Sequence, residues 1–184
     1  MKSRQLSLLT LLIGAFSMFA CIDQDQTQDA NFEREREAIE KYIQENPIVS
    51  VKEFTNTSEA FYMFWEVSTT PERNSLLARD TVRINYTGKT LDKKVFDTSI
   101  EQVAKDNNIF NPARNYQPAN FVLSRLIQGF AFAVSMMHPG EKATVIFPSR
   151  LGYGAQANGS IPANSPLIFE LELIKVTKGP NPNP

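Results

Sequence analysis

The chain has 184 residues, enough for one domain with extensions, and its apolar content of 42% is that of an ordinary globular protein. A formal net charge of -1 argues against a basic nucleic-acid footprint, so no nucleic-acid partner is expected. With one Cys and one His the sequence lacks the ligands for a zinc site or a disulfide framework, and neither a metal nor a cofactor is expected.

Lys2 and Arg4 precede an apolar run from Leu6 to Ala20, the charge-then-apolar order of a secretory signal. The run is shorter than the roughly 20 residues of a spanning helix. Cys21 follows Ala20 directly, a placement that resembles a bacterial lipobox, with Met18 and Phe19 standing where Leu and a small residue are commoner. The resemblance implies a lipoprotein signal peptide over 1–20, lipid on Cys21 and a place in the bacterial cell envelope, at the outer membrane facing the periplasm or the surface. An uncleaved anchor or an ordinary signal is the alternative. Residues 21–31 are polar and acidic, which predicts a flexible tether.

Phe32, Ile39, Tyr42 and Ile43 recur at helical spacing among strong helix formers, predicting a helix over 32–45 within an extension that spans 32–58. Asn31 is the candidate N-cap, and Asn46-Pro47 stops the helix. Phe61, Met63, Trp65 and Val67 then alternate with Tyr62, Phe64 and Glu66, a strand whose second face is itself partly apolar. Residues 69–78 read as a loop, and 80–89 as a strand with Val82, Ile84 and Tyr86 on one face. A helix from about Leu126 turns Phe130, Val134 and Met137 toward the sheet. Phe132 and Met136 then fall on another face, which is expected to be covered, by the 32–45 helix or by another protein. Ala143, Val145 and Phe147 mark a strand ended by Pro148, and Leu167 to Val176 mark another. Between them runs a long loop, which inside a compact domain is more often functional than passive. The tail past Val176 is too rich in Pro to sustain a strand, and 179–184 are expected to be disordered.

Six segments stand in a set order: DTVRINYTG at 80–88, VFDTS at 95–99, FVL at 121–123 followed by LIQGF at 126–130, MHPGEK at 137–142, GYG at 152–154 and IPANS at 161–165. Together they resemble the FKBP family of peptidyl-prolyl cis-trans isomerases over roughly Asp80 to Val176. The implied fold is α+β, a curved antiparallel sheet of about five strands around one short helix. It forms an isomerase domain over 59–178, preceded here by the extra N-terminal helix. The implied partners are proline-containing polypeptides, and an FK506-type macrolide as an added ligand.

By the same resemblance Asp97, Tyr153 and Phe96 carry the catalytic roles, while Tyr86, Phe121, Leu126, Ile127, Phe130, Ile161 and Phe169 hold the substrate. Phe130 would be the floor, at a position where the family usually has Trp. The Tyr153 hydroxyl and the Ile161 N–H would meet carbonyls of the peptide, and Asp97 would lie beside the reacting amide. Read without the resemblance, Tyr86, Phe121 and Phe169 are as simply explained as core. Phe96-Asp97 and Tyr153 are harder to explain so: an Asp beside an apolar strand residue needs a reason to face inward, and an aromatic between glycines is being aimed. The stretch 100–120 is longer than in compact relatives and reads either as a flap, with Arg114 a partner for Asp97, or as a decorated surface loop. A low-activity chaperone or binding module of an envelope complex is the rival reading of the whole chain.

Overall fold

The computed structural model describes residues 24–69 and 76–180. The expected signal 1–20, Cys21 and the end of the tail at 181–184 lie outside the described residues.

Seven strands form one antiparallel sheet: β1 (Lys52–Asn56), β2 (Phe61–Val67), β3 (Thr81–Thr90), β4 (Val95–Thr98), β5 (Ala119–Val122), β6 (Lys142–Phe147) and β7 (Leu167–Thr177). Their order is β1-β2-β6-β7-β3-β4, with β5 also paired to β3. This exceeds the expected five. The additional β1 lies inside the stretch read as a helical extension; its sequence KEFTN carries a single apolar side chain, too little for a period-2 signal. Register shifts in the β2–β6, β3–β4 and β3–β7 ladders add local twist, which curls the sheet.

The sheet buries one face in the main core and part of the other, around β2, β6 and the start of β7. Phe61, Met63 and Trp65 of β2 point into the main core with Val82, Ile84, Val145, Phe147 and Leu171, beneath helix α3 (Gln128–Ser135). Phe130, Ala133, Val134 and Met137 face that core, in line with the helical spacing. Tyr62 and Phe64, one residue out of phase, point to the opposite face with Ile146 and Ile168. There they meet helix α1 (Gln24–Glu45) through Ile39, which is fully buried and contributes about 2–3 kcal/mol by burial alone. The half-apolar second face of β2 is therefore the docking surface of α1.

Three expectations are corrected here. Helix α1 starts at Gln24, so most of the expected tether is helical and Asn31 lies inside the helix rather than capping it. The reason is composition: polar but free of Gly and Pro, the stretch holds nothing that would break the helix docked through Ile39. Second, α1 does not cover Phe132 and Met136. Met136 is buried in the main core, whereas Phe132 stays 43% exposed and rests its ring on Phe54 and Phe61 at 6.0 and 5.0 Å. Third, the tail does not fray at once, because the Gly179 N–H and Lys178 Nζ donate to the buried Asp80 carboxylate at 2.9 and 3.0 Å. Those bonds, with the Leu77 N–H, outweigh the desolvation of Asp80 and hold its pKa below the ordinary value.

Candidate functional site

β3 and β4 bring one wall of the site together. Tyr86 on β3 and Asp97 on β4 are joined by a bond from the Tyr86 hydroxyl to Asp97 Oδ2 at 2.7 Å, while the Thr98 N–H donates to Asp97 Oδ1 at 2.9 Å. Strand β7 adds Phe169, whose ring meets Phe96 edge-on at 5.6 Å and Phe130 of α3 at 4.9 Å. Phe121 on β5 closes this aromatic set against Tyr86 and Phe130 at 5.7 and 6.2 Å. The edge-to-face geometry is the favoured one for aromatic pairs, so each ring fixes the next.

These rings line a cavity of about 480 Å³, to which Leu126, Ile127, Tyr153 and Ile161 also contribute. All ten site residues expected from the sequence thus converge on one space. Phe130 is 4% exposed and forms its buried base. Four further lining residues went unrecognised in the sequence: Arg125, Asn158, Gly159 and Ser160. Asn158-Gly159 carried the available signal, a turn dipeptide that folds the loop back over the cavity.

Two roles change with the geometry. The Ile161 N–H already donates to the Asn158 carbonyl at 2.9 Å, and the Asn158 N–H returns a bond to Ile161 at 2.9 Å, so Ile161 has no free donor for a peptide. Among the described residues the amide of Ile127 donates to no protein group, and Ile127 lines the cavity. Ile127 therefore offers the cavity an open main-chain donor, which Ile161 does not. Of the two glycines flanking Tyr153, only Gly154 takes the left-handed conformation, at φ 62°. Gly152 is required for space instead, since a Cβ there would stand 2.9 Å from Leu167 Cδ1.

The stretch after β4 forms a short helix α2 (Glu101–Asp106) and then a turn braced by stacked Phe110 and Tyr116. The turn carries Arg114 over the Tyr116 ring to the cavity edge, where one guanidinium nitrogen pairs with Asp97 Oδ1 and the other donates to the Tyr86 hydroxyl at 3.0 Å. Of the two readings of 100–120, the geometry is that of a flap tied to Asp97.

Electrostatics keep both phenols as donors. Burial, then the bond to Asp97, pushes Tyr86 up to about 12. Burial and the nearby Asp97 charge also raise Tyr153, although the Asn158 side chain bonded to its oxygen works the other way. Arg114 loses water on burial, which opposes its charge, yet its bonds to Asp97 raise its pKa on balance. The wall thus presents one carboxylate held between a phenol and a guanidinium, above an apolar floor.

Gly88 lies directly against the Phe96 and Phe169 rings of the cavity wall. A Cβ there would stand 2.5 Å from two atoms of the Phe96 ring and 2.8 Å from Phe169. Gly88→Ala is expected to push both rings into the cavity and to weaken binding of a proline peptide about tenfold, at a stability cost of about 1–3 kcal/mol. Calorimetric titration beside thermal unfolding reads the two effects; unaltered binding would mean the rings do not contact the peptide.

A family model described as FKBP-type peptidyl-prolyl cis-trans isomerase matches residues 73–174, the stretch that supplies every wall of the cavity. The FKBP-type peptidyl-prolyl cis-trans isomerase FkpA of Aeromonas hydrophila is 36% identical over 101 residues, 55% of this chain and 33% of that protein. The FKBP-type 22 kDa peptidyl-prolyl cis-trans isomerase of Escherichia coli (strain K12) is 35% identical over 138 residues, 74% of this chain and 58% of that protein. The chain therefore spans about a third to under two thirds of the length of these relatives. A crystal structure of a peptidyl-prolyl cis-trans isomerase from Pseudomonas syringae superposes with a TM-score of 0.58 at 27% identity, covering 82% of this chain and 96% of that one. With more than half of its length matched, across the residues that build the cavity, this chain belongs to the FKBP-type peptidyl-prolyl cis-trans isomerase family.

Proposed function

We propose that this chain catalyses cis-trans isomerisation of X-Pro bonds in proteins of the bacterial cell envelope, tethered by lipid on Cys21 at the outer membrane, facing the periplasm or the surface. The observation that carries the catalytic reading is the convergence of Phe96, Asp97, Tyr153 and the Phe130 floor on one cavity with an open Ile127 N–H. Twisting an X-Pro amide sacrifices its resonance against a barrier of ~18–20 kcal/mol. The planar amide is the more polar form, so water favours the ground state. A site that strips this water and seats the proline ring on Phe130 favours the twisted form instead. The Ile127 N–H and the Tyr153 hydroxyl, kept protonated by its raised pKa, would hold the flanking carbonyls while the amide turns. Asp97, fixed by Tyr86 and Arg114, offers an acceptor beside the rotating bond. No bond is broken, and neither a nucleophile nor a metal takes part.

A second reading is a binding module of low turnover, favoured by Phe130 at a position where the family usually has Trp. A protease-coupled assay on an X-Pro peptide, with and without an FK506-type macrolide, separates the two. Macrolide-sensitive turnover supports catalysis; tight binding of the macrolide without turnover supports the module. The membrane tether rests on Lys2, Arg4, the apolar run to Ala20 and Cys21. Expressed in a bacterium fed labelled fatty acid, the chain is expected to take up label and partition with membranes. Cys21→Ala should abolish the label, and a variant that keeps it refutes the lipid anchor.

A further inference from the structure

We propose that Glu35 of α1 is a positioning residue for Tyr153, acting through Ser149. The proposal rests on the reading of the cavity as an isomerase site, and it places part of that site's support outside residues 73–174, the stretch shared with the family.

Pro148 ends β6 and Ser149 opens a single 3-10 turn, so the Ser149 N–H has no partner from its own segment. The partner comes from 114 residues away: Glu35 Oε2 accepts the Ser149 N–H at 2.6 Å, and Glu35 Oε1 accepts the Ser149 hydroxyl at 2.7 Å. Both residues are buried, at 7% and 5% exposure. Two bonds to one carboxylate fix the Ser149 peptide plane and with it the direction of the Ser149 carbonyl. That carbonyl accepts the Gly152 N–H at 2.7 Å and the Gly154 N–H at 2.8 Å, the two amides on either side of Tyr153. The Gly154 carbonyl in turn accepts the Asn164 N–H at 2.9 Å, tying in the arm that carries Ile161.

A carboxylate suits the task because it has two acceptor oxygens for two donors. Burial raises the Glu35 pKa; the Ser149 bonds and the charges of Arg150 and Arg34 oppose the rise. Arg150 also lies over the Phe32 ring at 3.5 Å and bonds Glu59 at 2.8 Å, so α1 and the turn meet at more than one point. General docking of α1 is served elsewhere, by Ile39 and by the Tyr62 hydroxyl bonded to Glu40 at 3.1 Å.

The test compares Glu35→Ala, Glu35→Gln and Tyr62→Phe in the full chain and in a Tyr153→Phe background. Glu35→Ala is expected to lower kcat/KM on a Leu-Pro peptide about tenfold, because a small misplacement of a positioned group is costly. Glu35→Gln, which keeps one oxygen for the Ser149 amide, should recover most of the loss, and Tyr62→Phe should leave turnover unchanged. In the Tyr153→Phe background Glu35→Ala should add less than about a twofold loss, since the two changes remove one function. Amide exchange at Gly152 and Gly154 should speed up in Glu35→Ala and not in Tyr62→Phe. An equal loss in both backgrounds, or exchange that does not change, overturns the proposal. If the unaltered chain turns over no X-Pro peptide, the isomerase reading fails, and the exchange measurement still decides whether Glu35 holds the Tyr153 loop.

Discussion

Replacing Asp97 with Ala is expected to lower kcat/KM for X-Pro peptides by roughly 10- to 100-fold, less than the ~10²–10³ of a fully buried preorganised group, because the carboxylate is part-exposed. Three donors end on this carboxylate: the Tyr86 hydroxyl, the Thr98 N–H and Arg114. Its loss takes away the acceptor beside the rotating amide and frees both Arg114 and the Tyr86 ring that lines the cavity. Stability should change little, because the Asp97 and Arg114 side chains are 39% and 38% exposed and such pairs contribute about 0–1 kcal/mol. Asp97→Asn keeps the shape without the charge and should fall between. Arg114→Ala isolates the contribution of the flap; unaltered turnover in that variant would reduce the 100–120 stretch to surface decoration. A protease-coupled assay beside thermal unfolding separates the two quantities. Full turnover in Asp97→Ala would make the whole Tyr86–Asp97–Arg114 wall structural.

The largest stability effect is expected at Glu141, in the turn between α3 and β6. Its side chain is fully buried, and its oxygens accept the Trp65 Nε1–H at 3.1 Å, the Ser68 hydroxyl at 3.0 Å, and the Thr69 and His138 N–H groups at 2.9 Å each. Glu141→Leu leaves buried donors without an acceptor, and a cost of about 3–5 kcal/mol is expected. For a domain of this size that is a fall in Tm on the order of 10 °C. Desolvation alone would raise the Glu141 pKa, but the backbone and side-chain donors outweigh it and hold it below the ordinary 4.5. A depressed carboxylate pKa contributes stability that is present above the unfolded value and is lost as pH falls through the folded one. The unaltered protein should therefore lose stability as pH drops below about 4.5, and Glu141→Leu should flatten that slope. Chemical denaturation at pH 7 and at pH 4 measures both; an equal slope in the two proteins would mean Glu141 is not the acid-sensitive group.

The site was more legible in the sequence than the architecture around it. Phe96-Asp97 and the Tyr153 between glycines are local signatures, and the spaced motifs that resemble the family implied the rest; all ten expected cavity residues line it. That the Ile161 amide is already taken was not legible, because the Asn158–Ile161 bridge that consumes it depends on how the loop folds back. The flap with Arg114 on Asp97 was one of two readings open in the sequence; the folded turn, with Phe110 stacked on Tyr116, decided for it.

By itself the sequence determined the period of β2, β3 and β6, the core-facing side of α3 and the second apolar face on β2. Each of these is read from residues two to four apart, whose directions the backbone repeat dictates. The tertiary structure decided what that second face was for, because Tyr62 and Phe64 announce that something must cover them and only the packed chain shows that it is Ile39 of α1. It also decided that Glu35 would meet Ser149 and that Glu141 would gather its donors from β2, the segment after it and its own turn. A buried carboxylate is satisfied by whichever N–H and O–H groups the folded chain brings within about 3 Å, and partners so distant in sequence leave no periodic trace.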